Sequence, residues 1–99
     1  MCSNTSKGII EVEFTEQFKD IAKTRYMDIY VDENTTIETV IQKLIGQFGQ
    51  EFKERVYVDN DMNPFCMILH NADIIGRIEQ LSRKVCSGDK LSFMKTIQC

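Results

Sequence analysis

Few side chains in this chain could do chemistry, and their spacing narrows the choice. There is one histidine, His70, and there are four cysteines, Cys2, Cys66, Cys86 and Cys99. The cysteines are widely and irregularly spaced, with no Cys-x-x-Cys pair for zinc or redox work. No metal site and no cofactor are therefore expected, and the thiols are expected to be reduced. Cys66 falls inside an apolar strand pattern and reads as a small core residue. No Ser/His/Asp or Cys/His pair sits at suggestive spacing, so an autonomous enzyme is not expected. Asp59-Asn60-Asp61 could suggest calcium, but a calcium loop needs Gly at its sixth position and Glu at its twelfth. Pro64 and His70 stand there, which leaves a turn. Gly46-Gln47-Phe48-Gly49 lacks the Lys-Ser/Thr end of a phosphate loop and closes a helix instead of opening one. Glu11 and Glu13 read as the solvated side of a strand, not as an acid/base couple. The last candidate is Thr96-Ile97-Gln98-Cys99, which offers a thiol and a carboxylate. Nothing nearby lowers the Cys99 thiol pKa, since Lys95 lies four residues back in an extended segment, so a persulfide role ranks last.

These groups sit in an ordinary globular composition. The 99 residues are 42% apolar and 27% charged, enough for one domain over 1–99 with one core. A net charge of −3, with basic residues scattered and no run longer than Arg83-Lys84, argues against nucleic acid. No signal-like or membrane-spanning run appears, so a cytoplasmic protein is expected. Residues 1–7 read as a disordered N-terminal tail and 97–99 as a flexible C-terminal tail. Oligomeric state is not legible.

The elements that must position any site follow from periodicity. Ile10, Val12 and Phe14 alternate with Glu11 and Glu13, and Met27, Ile29 and Val31 alternate with Tyr26, Asp28 and Tyr30. Two half-buried strands are predicted, joined by an elaborated loop over Glu16 to Lys23 that is compatible with a short turn of helix and has Phe18 and Ile21 inward. Ile37, Val40, Ile41, Leu44, Ile45 and Phe48 form one helical stripe. Thr35 with Glu38 predicts a capping box, and Gly49 a left-handed stop, so the helix runs from about Thr36 to Phe48. Gln50 to Asn63 is compatible with a short helix, a strand or an ordered loop. Phe65 to His70 is apolar on both faces and is predicted to be a central strand. Asn71-Ala72-Asp73 and Ser87-Gly88-Asp89 are turns, the second feeding a last strand with Leu91 and Phe93 opposite Ser92 and Met94. Strand, strand, helix and further strands is the order of an α+β ubiquitin-like β-grasp, a mixed sheet of four to five strands packed on one main helix, and the order alone admits other α+β folds. One helix leaves the other sheet face open.

Over nearly its whole length the chain resembles the ubiquitin-like sulfur carriers of the MoaD/ThiS type, such as the small subunit of molybdopterin synthase. The resemblance lies in Val31-Asp32-Glu33-Asn34-Thr35-Thr36-Ile37, in Arg55 to Phe65, in Ile68-Leu69-His70-Asn71-Ala72-Asp73-Ile74 and in Ser87-Gly88-Asp89-Lys90-Leu91. Ala72 takes the place of a family glycine, so a looser turn is expected. The family implies a carrier whose last strand runs into a free Gly-Gly tail. An ATP-using adenylyltransferase activates the terminal carboxylate, a sulfur donor converts it to a thiocarboxylate, and a sulfur-accepting enzyme subunit receives it. By that resemblance the carrier tail is Thr96, Ile97, Gln98 and Cys99, and the partner-binding residues are Phe65, Met67 and Met94. The tail departs from the pattern: Cys99 stands where the first glycine should be, and a side chain there hinders entry into a narrow channel. The alternative is a noncovalent protein-interaction module of the same fold that has lost carrier chemistry.

Overall fold

The computed structural model describes residues 8–95; the tails expected at 1–7 and 97–99 lie outside them. Strand β1 (Gly8–Phe14) buries Ile10, Val12 and Phe14, as the alternation requires. The loop after it folds as helix α1 (Glu16–Ala22), with Phe18 and Ala22 buried and Ile21 packed at the core margin. Strand β2 (Tyr26–Val31) returns antiparallel to β1, with Glu13 opposite Tyr26 and Gly8 opposite Val31.

Helix α2 (Ile37–Phe48) buries Ile37, Val40, Ile41 and Leu44 along the predicted stripe. Its cap differs from the Thr35–Glu38 box expected. Thr36 is the cap, its hydroxyl accepting from the Thr39 amide at 3.2 Å. Thr35 is buried; its hydroxyl donates to Asp32 Oδ1 at 3.1 Å and its carbonyl accepts from the Val85 amide. Of two adjacent threonines, only the one immediately before the first helical residue can reach the open amides. Gly49 ends α2 with φ 87° and ψ −164°, an extended left-sided conformation only glycine holds easily, not the left-handed helical stop expected.

The ambiguous stretch resolves into helix α3 (Gln50–Val56), burying Phe52 and Val56, and a small hairpin of β3 (Tyr57–Val58) and β4 (Asp61–Met62). Its turn residues Asp59 and Asn60 have φ 53° and 67°, which Asp and Asn tolerate better than most residues. Strand β5 (Cys66–His70) joins β6 (Asp73–Ile75) through Asn71-Ala72. That turn is tight despite Ala72, because Asn71 takes the positive φ of 57°. A 3₁₀ turn over Ile78–Ser82 leads toward β7 (Lys90–Lys95).

The five strands order as β2-β1-β7-β5-β6, with β7 parallel to β1 and the other pairs antiparallel. β7, not β5, is therefore the central strand; β5 lies one strand in from the edge. Behind the sheet, Phe14, Phe18, Phe52 and Phe93 are fully buried. The Phe14 and Phe93 rings stack at 6.0 Å, and Phe52 lies 5.6 Å from Phe93 and 5.8 Å from Phe18. This cluster welds β1, α1, α3 and β7. Cys66 is a free, buried thiol whose pKa burial pushes up to about 12.

Phe93→Ala should cost roughly 3–5 kcal/mol, the loss for a fully buried phenylalanine, measured by urea denaturation; a loss under about 1 kcal/mol would mean the cluster is not the core. In the folded protein Cys66 should resist alkylation at neutral pH and label only on unfolding, as peptide mapping would record.

Candidate functional site

Alternation places one side chain set behind the sheet and the other on its uncovered face. On β5 and β7, Cys66, Ile68, Leu91 and Phe93 point into the core. Met67 and Met94 occupy the opposite face and stand directly across from each other in register. Leu69 and Ile74 are likewise paired, and Ile74 is 62% exposed. Phe65, just before β5, is 49% exposed. Its approach is fixed by Asn63, whose side-chain oxygen accepts the Phe65 amide at 2.9 Å and whose carbonyl accepts the Cys66 amide at 2.9 Å. The structure thus brings Met67 and Met94 together on the open face and leaves Phe65 exposed just before β5. Leu69 and Ile74 extend this surface and were not singled out in the sequence, although Leu69 shares the alternation of Met67.

Across the sheet the face becomes polar. Glu13, expected to be a solvated strand residue, has a side chain only 12% exposed, between Lys90 at 3.3 Å and Arg25 at 3.3 Å. The Ser92 hydroxyl donates to it at 3.2 Å. Burial works to raise its pKa, but Lys90, Ser92 and Arg25 together hold it below the ordinary carboxylate value. Arg25 and Lys90 also lie over the Tyr26 ring, at 5.7 and 5.9 Å from its centre.

Two clamps fix the last strand. At its far end, the Thr15 amide and hydroxyl both donate to the Phe93 carbonyl, at 3.1 and 3.2 Å. At its near end, Asp89 ties three segments. Its Oδ2 accepts the Cys86 amide at 2.8 Å and meets His70 Nε2 at 2.7 Å, and its Oδ1 accepts from Asn71 at 3.2 Å. Its carbonyl accepts the Glu11 amide at 3.0 Å. Because Nε2 faces a carboxylate it must carry the proton. Nδ1 is buried without a partner among the described residues, which suits a bare lone pair better than a second N–H. His70 is therefore a structural donor. Burial works to raise the Asp89 pKa, but the Cys86 amide, His70 and Asn71 bring it below the ordinary 3.8. The tail residues Thr96, Ile97, Gln98 and Cys99 lie outside the described residues. Among the described residues, no group of three His, Cys, Asp or Glu could hold a metal ion, and no helix is long and apolar enough to cross a membrane.

A family model described as the ThiS family matches residues 12–98. The chain belongs to the ThiS family. The fold of this ThiS-family chain is shared with several solved structures. SAMP1 from Haloferax volcanii is 19% identical, with 93% of this chain and 99% of that one covered and a TM-score of 0.75. A putative molybdopterin converting factor, subunit 1, from Pyrococcus furiosus is 15% identical, with 91% and 99% covered and a TM-score of 0.73. Urm1 from Trypanosoma brucei is 18% identical, with 100% and 99% covered and a TM-score of 0.65. At these identities the likeness establishes the fold, a ubiquitin-like β-grasp. A search of curated proteins finds no match.

A depressed Asp89 pKa contributes stability that is fully present above the unfolded value, near 3.8, and is lost as pH falls through the folded value. Asp89→Asn should lower the melting temperature at neutral pH and flatten its fall below about pH 4. Identical acid limbs in the variant and the wild type would exclude this linkage.

Proposed function

We propose that this ThiS-family chain is a ubiquitin-like carrier or modifier, docking through the open sheet face and offering the segment beyond Lys95 to an activating enzyme. The observation that carries the reading is the juxtaposition of Met67 and Met94 on an uncovered face, on the two strands nearest the exit of the central strand. A partner seated on Phe65, Met67 and Met94 is placed beside the segment that follows β7. Thr15 holds the Phe93 carbonyl and Lys95 pairs with Cys66, so the sheet runs up to that segment. The chemistry proposed is that of the family: an adenylyltransferase uses ATP to adenylate the terminal carboxylate with release of pyrophosphate, a sulfur donor displaces AMP to leave a thiocarboxylate, and a sulfur-accepting enzyme subunit receives that sulfur as the carboxylate is restored.

The second reading, a noncovalent interaction module, is favoured by residues 96–99, Thr-Ile-Gln-Cys, which hold no Gly-Gly pair. Side chains there fit a narrow channel poorly. Both readings use the same apolar surface, and they differ only in whether the terminus reacts.

Met94→Asp should weaken binding to the cognate adenylyltransferase at least tenfold, about 1.4 kcal/mol, while urea denaturation stays cooperative with an unchanged slope. Unaltered affinity would remove the open face from the docking surface. Loss of folding would instead assign Met94 to the core.

A further inference from the structure

The β1–β2 half of the open face carries an arrangement that the apolar patch does not explain. The Phe14 amide donates to the Arg25 carbonyl at 2.7 Å, which sets the phase of the β1–β2 ladder. The pairs Ile9/Tyr30, Glu11/Asp28 and Glu13/Tyr26 are then the ones without mutual backbone bonds, whose side chains approach most closely. Glu11 and Asp28 thus stand as like charges directly opposite each other, an unfavourable cross-strand pair. Lys90 is next to Glu11 in register, but its amine is engaged with Glu13, as is Arg25. Neither carboxylate has an ion pair or side-chain hydrogen bond among the described residues. The adjacent row exposes two large side chains, Tyr30 at 71% and Ile9 at 42%.

The same phasing points the backbone groups of Tyr26, Asp28 and Tyr30 out of the sheet edge. Thr24 Oγ1 donates to the Tyr26 carbonyl at 3.0 Å, and Lys43 Nζ donates to the Tyr30 carbonyl at 3.0 Å. Side chains already occupy the edge at both ends, which opposes strand addition by a second copy or a peptide. What this region offers is its face.

We propose that Glu11 and Asp28, with Tyr30 and Ile9 beside them, form a second contact zone that receives an arginine side chain from the protein partner docked on Met67 and Met94. A planar guanidinium can bridge two neighbouring carboxylates with parallel hydrogen bonds and lay its flat surface on an aromatic ring; an ammonium cannot do both. The partner's cation relieves the repulsion that the free protein tolerates. The zone fixes the angle at which the partner lies across the sheet, and with it the direction in which the segment beyond Lys95 is presented. This inference rests on the proposed docking function and assigns the cognate adenylyltransferase as the partner.

The test measures binding of purified adenylyltransferase by calorimetry across a salt series, using wild type, Glu11→Gln/Asp28→Asn and Met94→Asp. The double variant should bind at least tenfold more weakly and with a shallower salt dependence, yet melt at a higher temperature because the like-charge pair is gone. A double variant that binds like wild type, while Met94→Asp is weakened, overturns the second zone and leaves the docking function standing. If Met94→Asp and the double variant both bind like wild type, or wild type itself does not bind, both readings fall. A divalent cation, titrated as calcium or magnesium chloride, that binds wild type but not the double variant would assign the pair to a metal and also overturn the inference.

Discussion

The parallel pairing of the first and last strands is the constraint on which the rest of this structure depends. It puts β7 at the centre of the sheet, between β1 and β5, and so directs the chain out of the middle of the fold. Such a pairing joins segments nearly eighty residues apart, with Thr15 bonded to Phe93 across a separation of 78. The ladder alone does not explain it. The Phe14–Phe93 stack behind the sheet, the Thr15 clamp at one end and the Asp89 knot at the other make the register unique. A one-residue slip would drive Phe93 onto the open face and Met94 into the core.

That register also divides labour between the two faces. Behind the sheet lies an aromatic cluster with no polar side chain facing it from β1. In front, an apolar end over β5–β7 passes into a polar zone where Glu13 is nearly covered by its partners. Surface ion pairs contribute little to stability on average. Their value here is positional: they hold Glu13, Lys90 and Arg25 in one arrangement beside the methionines. A partner docked there, as proposed above, would meet a surface already ordered.

Much of this was legible in the sequence, and the reasons are specific. The six-residue stripe of α2 and the alternation in β1 and β2 are long enough for period to decide structure. Phe52 and Val56 stand one helical turn apart, but in a seven-residue segment that spacing does not exclude other conformations, so α3 stayed ambiguous. Adjacent Thr35 and Thr36 offer the same cap chemistry, and only the chain's path chooses between them. The centrality of β7 was hidden because its pairing with β1 is nonlocal, whereas β5 displayed its burial in its own composition. Phe65, Met67 and Met94 could be named as candidate partner-binding residues by resemblance alone; that Met67 and Met94 face each other across the sheet depended on the strand register. Glu13 and Asp89 gave no local sign of their roles, since their partners come from other strands and turns.

The central claim is that the segment leaving β7 carries a reactive terminus. It is tested most directly by the intact mass of the protein from its native cell, before and after incubation with ATP, the cognate adenylyltransferase and a sulfur source. The account predicts a product in which one oxygen of the terminal carboxylate is replaced by sulfur. A mass that stays unchanged while the protein binds the adenylyltransferase through its open face would contradict carrier chemistry and leave the noncovalent module.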